Sequence, residues 1–334
     1  MDVLDIHFLI VLDSGFLLPH FMRLKFLEFS NFQGECQGFS GGQRTIRKAL
    51  EKEGVDTVYE SAVELQHLSA HLYNRQCKKS FIMPTHEAND IHPILIDKIN
   101  EADEVIALCE HNKKIFETNG VKKPIHLCHQ GIDINIFKYQ EKTRKNVLKF
   151  LWIGQTSIRK GWDIVAESFQ KAFGNRKDVQ LYLKTNGKGK QEITKIADNV
   201  IFDSRNLALV DMLDLYHDNH IFVFPSRGEA TGLPALEAMA CGLIVMAPPI
   251  GGMAEFINEN TAISLEYSMI DANYGVKTKA PNVLTDDLIE KLRYVYEHYN
   301  NIKGCCAYAN TFVKKNYCVD KMAKKLVKIL FNEN

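Results

Sequence analysis

Apolar residues fall into short continuous runs, separated by stretches where they recur every three or four positions. The first kind reads as buried strand, the second as amphipathic helix. In the first half, strands are predicted at Leu24–Ser30, Thr57–Tyr59, Lys79–Pro84, Glu104–Leu108 and 125–128. Helices are predicted over Gln43–Lys52, 92–101 and 111–118, the last closed by Asn119-Gly120. The second half repeats the alternation, with strands at Val147–Ile153, Gln180–Lys184, 200–202, His220–Phe224 and Leu243–Ala247, and helices over 162–173, 208–217 and 233–240. Such alternation predicts parallel sheets with helices on both faces, an α/β architecture. The polar segment 130–146 reads as a linker, and residues 264–284 show no clear period and read as a long loop or insertion. The stretch Asp320–Asn334 is an amphipathic helix, with Met322, Leu326, Ile329 and Leu330 on one face and Lys321, Lys324, Lys325 and Lys328 on the rest. It either docks on the protein or lies on a membrane surface.

Composition bounds the function. At 334 residues, 46% apolar and 25% charged, the chain can bury a core in each of two domains. Basic and acidic residues balance at 41 each, which removes any global pull on nucleic acid and makes an anion site a local matter. Eight cysteines form no CxxC pair and no zinc-ligand spacing. Cys109, Cys128 and Cys241 read as small buried hydrophobes in a reducing compartment. Residues 5–21 are apolar, but Asp13 and Pro19 interrupt them; they are short for a membrane span and lack the marks of a signal peptide. The expected location is cytoplasmic, with room for peripheral contact at the membrane face.

The residues that can carry chemistry cluster in IFVFPSRGEATGLPALEAMACG. A buried strand ends at Pro225, and a loop carries Glu229, Ala230, Thr231 and Gly232. A helix then opens with Pro234 in its first turn and closes at Gly242. The loop delivers backbone N–H groups to a ligand, and such a helix start, aided by the helix dipole, suits a diphosphate. Helical side chains lean toward the N-terminus, so Glu237 can lean back to a pair of sugar hydroxyls. In LWIGQTSIRKGWD, a strand ends at Ile153, just before Gly154, and Arg159 and Lys160 stand before a helix start. Lys184 ends another strand, and open α/β sheets bind ligands at such carboxyl ends. In the first half, Gly41-Gly42 could approach a ligand closely, and His86 could contact a sugar or relay a proton. Each residue alone also has an ordinary reading: Glu237 as a solvated helix residue, Glu229 as a loop charge, Gly42 as a βα turn, His86 as a structural histidine.

Together these motifs resemble the retaining glycosyltransferases of family four, the group 1 glycosyltransferases. Their pattern, approximately FxxPSxxEGxGLPxLEAMAxG, places two Glu eight apart, where this chain has Glu229 and Glu237. Ala230 replaces the usual Gly and Thr231 the usual aromatic. Gly154, Lys160 and Gly161 match the family's GRLxxxKG element, and Gly251-Gly252-x-Ala254-Glu255 its following turn. Cys128–Asp133 looks like the hinge after the first domain. Gln155 stands where the family usually has an Arg that contacts the diphosphate; either Arg159 or Lys184 compensates, or donor binding is weaker.

The resemblance implies a GT-B fold, two Rossmann-like parallel-sheet domains facing across a cleft. It divides the chain into an extension over 1–21, an acceptor-side domain over 22–135, a donor domain over 136–305 and C-terminal helices over 306–334, the last packing back on the first domain. It implies transfer of a hexose-type sugar from a UDP- or GDP-sugar to a glycan, lipid-linked or other hydroxyl acceptor, with retention of configuration and without a metal or other cofactor. Glu229, Lys160 and His86 would serve catalysis. Gly42, Gly154, Arg159, Lys160, Lys184, Glu229, Thr231, Gly232, Leu233 and Glu237 would hold the donor. The other reading is a catalytically degenerate nucleotide-sugar-binding protein of the same fold.

Overall fold

The computed structural model describes residues 7–8, 22–29, 46–57, 63–68, 70, 73–74, 76–185, 197–274 and 277–331. The chain divides into two compact units. One comprises the described residues of Met1–Asp133, Asn273–Lys277 and Tyr317–Asn334; the other comprises those of Ile134–Ala272 and Thr278–Asn316. The predicted turn at Gly38–Gly42, with the candidate Gly42, lies outside the described residues. No helix among the described residues is long and apolar enough to cross a membrane.

The first unit holds strands β1 (His7–Phe8), β2 (Met22–Phe29), β3 (Val55–Thr57), β4 (Val63–Leu68), β5 (Lys79–Pro84), β6 (Glu104–Ala107) and β7 (Ile125–Leu127). β2, β4, β5, β6 and β7 lie side by side in parallel. β3 pairs in parallel with the start of β2, and β1 antiparallel with its end. Parallel neighbours require crossovers; the described helices are α1 (46–52), α2 (Pro93–Ile99) and α3 (Glu110–Thr118). Ser80 to Pro84 of β5 are all buried, as in a strand covered on both faces. Ile82, Ile99, Val105 and Phe116 meet in the core beneath.

β4 is absent from the sequence reading, although it sits centrally between β2 and β5. Its sequence VELQHL offers no apolar run. Gln66 is nevertheless 1% exposed. Burial is tolerable because its amide donates to the Asn74 carbonyl at 2.8 Å and accepts from the Asn74 N–H at 3.4 Å.

The second unit carries a fully parallel sheet of β8 (Leu148–Ile153), β9 (Val179–Lys184), β10 (Val200–Asp203), β11 (Ile221–Val223), β12 (Ile244–Ala247) and β13 (Ile263–Ser264). The order is β10-β9-β8-β11-β12-β13. Its helices are α4 (Trp162–Phe173), α5 (Leu209–Asp218), α6 (Leu233–Ala240), α7 (Thr285–Ile302) and α8 (Cys305–Asn316). Phe150 of β8 and Phe169 of α4 meet edge to face at 5.5 Å, both fully buried. Such side chains supply roughly 1.5–3 kcal/mol each. The chain runs outward from β8 through β9 to β10, then returns to the other side of β8 as β11. The connections that follow β8 and β11 therefore run toward opposite edges of the sheet, and its switch point lies between these two strands.

Residues 264–284 form more than a loop. β14 (Tyr267–Asn273) and β15 (Lys277–Val283) make a separate two-stranded sheet. Nearly every residue of β14 is exposed, so it shows no inward–outward alternation to read. The last helix, α9 (Val319–Phe331), belongs to the first unit. It is tied there by Val319 N–H to the Ile132 carbonyl at 2.9 Å and by Asp320 to Lys52 at 2.8 Å. Met322, Ala323, Leu326, Val327 and Leu330 are buried, leaving Lys321, Lys324, Lys325 and Lys328 exposed.

Candidate active site

The loops after β8 and β11 meet at the switch point. The first ends in a 3-10 turn, Ile158–Lys160, and the second carries Ser226 to Glu229. Lys160 Nζ lies 2.5 Å from Glu229 Oε1. Ser226 Oγ donates to the same oxygen at 2.7 Å, and Arg159 stands 3.7 Å away. Glu229 is 5% exposed. Burial pushes its carboxyl up, but the charges of Lys160 and Arg159, with hydrogen bonds from Lys160 and Ser226, outweigh it and hold the group below the usual range. Lys160 also lies 5.6 Å above the Phe224 ring, while the Trp152 indole N–H donates to its carbonyl at 3.1 Å.

Arg227 fastens the two loops together. Its guanidinium donates to the Ile158 carbonyl, to Asp163 at 3.1 and 3.2 Å, and to Asn282 at 2.8 Å. It is 6% exposed, and its planar fork fixes the turn bearing Arg159 and Lys160 against the start of α4. Gly161, at φ 71°, ends that turn where a β-carbon would collide with the Pro225 carbonyl. Gly232, at φ 87°, precedes α6; a β-carbon there would lie 2.5 Å from Met253 Cγ. The loop is further held by the Gly252 N–H, which donates to the Glu229 carbonyl at 3.1 Å.

α6 leaves this loop with Leu233 as its first residue; Pro234 has no N–H and the Ala235 N–H donates to the Gly232 carbonyl at 3.0 Å, so Leu233 is the first-turn residue whose N–H precedes the helix's own bonds. Glu237 lies further along the same helix and is partly exposed. Burial pushes its carboxyl up to about 7, opposed by a hydrogen bond from Tyr216 Oη at 2.6 Å. Thr231 and Gly232 sit buried beside Glu229.

The structure thus gathers Arg159, Lys160, Glu229, Thr231, Gly232 and Leu233 within two loops and one helix start. Gly154 follows β8 directly, its N–H donating to the Lys184 carbonyl at 3.0 Å. Lys184 is 4% exposed, and its ammonium serves the carbonyls of Thr185, Asp203 and Arg205. Its charge is satisfied by backbone rather than presented to a ligand. Gln155 is exposed at the end of β8. His86 belongs to the first unit, just after β5. Burial, then His111, lower its ring to about 4, so it is neutral at pH 7. Its Nε2 is buried and has no hydrogen-bond partner among the described residues.

Sequence reasoning did not single out Arg227, Asp163 or Tyr216. Arg227 and Asp163 stand inside quoted motifs, but nothing in their spacing shows that they meet across 64 positions. Tyr216 gives no signal beyond an aromatic residue on an apolar helix face.

A doubly wound second unit with an anion-suited helix start at its switch point is the architecture of a nucleotide-ligand domain. Among solved structures, the chain is similar to Anabaena HepE in complex with UDP and glucose, at a TM-score of 0.63 and 17% identity over 91% of this chain and 85% of that one. That likeness gives the fold, GT-B. Residues 148–288, from β8 into α7, match the family model described as Glycosyl transferases group 1. Curated relatives include the mannosylfructose-phosphate synthase of Agrobacterium fabrum, 28% identical over 43% of this chain and 37% of that one. Another is the GDP-mannose-dependent monoacylated alpha-(1-6)-phosphatidylinositol monomannoside mannosyltransferase of Corynebacterium glutamicum, 31% identical over 34% of this chain and 32% of that one. The matched stretch spans about a third of either relative.

Proposed function

We propose that this protein is a glycosyltransferase that moves a hexose-type sugar from a nucleoside diphosphate to an acceptor hydroxyl with retention of configuration. The observation that carries the reading is the buried Glu229–Lys160 pair, with Arg159 beside it, at the sheet's switch point and next to the start of α6. The relatives support a nucleotide donor by name: one uses GDP-mannose, and the structural neighbour binds UDP.

In this reading the diphosphate lies against the backbone N–H groups of Thr231, Gly232 and Leu233 at the start of α6, beside Lys160 and Arg159. As the bond from sugar C1 to the phosphate oxygen breaks, charge grows on the departing phosphate. A cation at about 4 Å opposes that growth by on the order of a few kcal/mol at an effective dielectric near 20. Lys160 must first loosen from Glu229, which places Glu229 at the donor-sugar end of the site. Glu237 accepts hydrogen bonds from the ribose hydroxyls. The departing phosphate takes the acceptor's proton on the same face, so the anomeric configuration is kept without a separate general base. These groups supply the positive charge that the chemistry needs, and the proposed reaction runs without a metal. The acceptor class is a glycan or a lipid-linked hydroxyl, the latter suggested by the phosphatidylinositol substrate of one relative.

The test is release of nucleoside diphosphate from a panel of UDP-, GDP- and ADP-sugars, with and without glycan and glycolipid acceptors. One donor should be turned over, and Lys160→Ala should abolish its turnover. A chain that binds one of these donors but never releases its sugar would be the degenerate binding protein, a reading to which the neutral Gln155 lends weight.

A further inference from the structure

α5 and α6 are joined by a hydrogen bond that the proposed chemistry has not used. Tyr216 of α5 is 1% exposed, its ring edge-on to Phe137 at 5.9 Å and tilted over Phe222 at 6.1 Å. Its hydroxyl points at Glu237 Oε2, 2.6 Å away. An enclosed phenol must place its O–H on a partner, and here the partner is a carboxylate beside the helix start. Among the described residues, no other hydrogen bond reaches the Glu237 carboxyl. One oxygen is therefore fixed and the other is left for a ligand.

The charge on Glu237 depends on the same contact. The titratable groups around it are few. Cys241 lies on α6 itself, its thiol pushed up to about 12 by burial. Lys142 turns its ammonium to the carbonyls of Tyr216 at 3.0 Å and His217 at 2.9 Å. Cys306 of α8 faces Lys142. No cation pairs with Glu237 among the described residues, so the phenol is the group that favours its ionised form.

We propose that Tyr216 is a positioning residue: its hydroxyl locks the Glu237 carboxylate with one oxygen open to the ribose hydroxyls and favours the ionised form that accepts from them. The inference rests on the reading of Glu237 as the ribose ligand. Ribose hydroxyls donate, and an ionised carboxylate accepts more strongly than a protonated acid. The ionised fraction falls as pH drops through about 7. Without the phenol, the fall comes at higher pH.

The experiment is calorimetric titration of the full chain with UDP and GDP, each beside its 2′,3′-dideoxy counterpart, from about pH 6 to about pH 9. In the wild type the ratio of ribo to dideoxy affinity should rise with pH, several-fold in all, with a midpoint near 7. In Tyr216→Phe the ratio at neutral pH should fall about fivefold and recover in part at the alkaline end, with dideoxy affinity unchanged. General damage to the fold would lower both affinities together. A ratio flat with pH in the wild type, or a Tyr216→Phe profile that overlays it, overturns the inference. If Tyr216→Phe does not fold, the wild-type profile decides. Glu237→Ala separates the layers. If it abolishes the ratio while Tyr216→Phe does not, the inference alone fails. If it leaves the ratio intact, or if neither nucleotide binds, the ribose reading fails and the inference falls with it.

Discussion

Glu229 and Glu237 stand eight positions apart, one in the loop before α6 and one along that helix, and their surroundings push them in opposite directions. Glu229 is buried between two cations and a serine hydroxyl and is held in its charged form. Glu237 has a phenol and no cation among the described residues, and burial raises it to about 7. Burial acts the same way on both. The difference is the pair of basic residues that the turn after β8 delivers to one and not to the other. A position fixed by charge can be displaced only by another charge, such as a phosphate. A position held by one neutral hydrogen bond remains open to hydroxyls and sensitive to pH.

Removing Lys160 should break the comparison most severely. Lys160→Ala leaves the Glu229 carboxylate buried with Arg159 as its remaining cation, at a cost of about 3–5 kcal/mol in urea unfolding. Adding Glu229→Gln should return much of that stability, whereas simple loss of packing would not be rescued. Glu229→Gln alone should lower turnover by about a hundredfold or more while nucleoside diphosphate affinity holds or rises, because Lys160 is released to the ligand. Parallel measurement of turnover and calorimetric affinity checks this; equal loss of both would merge the roles of loop and helix start.

Glu237→Gln should act with the reverse sign on stability. The folded value lies above the ordinary 4.5, so the carboxylate's cost is absent below 4.5, grows as pH rises and is complete above about 7. The substitution should therefore stabilise the fold at alkaline pH by on the order of 1–3 kcal/mol, and much less at acid pH. Denaturant unfolding in the two ranges decides it, and a pH-independent change would contradict the account. Arg227→Lys should do least. It keeps the charge but loses the fork, so KM for the donor should rise about threefold with kcat little changed.

Much of this was legible in the sequence. The second sheet could be read because its strands are continuous apolar runs, and Glu229, Lys160 and Gly232 because they share short motifs with the helix start. β4 could not, since a buried Gln66 satisfied by a backbone 8 positions away breaks the apolar run. The β14–β15 hairpin was hidden for a related reason, its first strand having no buried face. The roles of Arg227 and Tyr216 arise from contacts 64 and 21 positions apart. Lys184 shows the converse. A lysine at a strand end looked like a phosphate ligand, but backbone carbonyls claim it.

The central claim is that the switch point between β8 and β11 holds a nucleoside diphosphate through Lys160. Calorimetric titration of UDP and GDP into the wild type and into Lys160→Ala/Glu229→Gln, which removes the cation without stranding its partner, tests it most directly. The account predicts binding of at least one nucleotide by the wild type and about tenfold or greater weakening in the double variant. Equal affinities in the two proteins would contradict it.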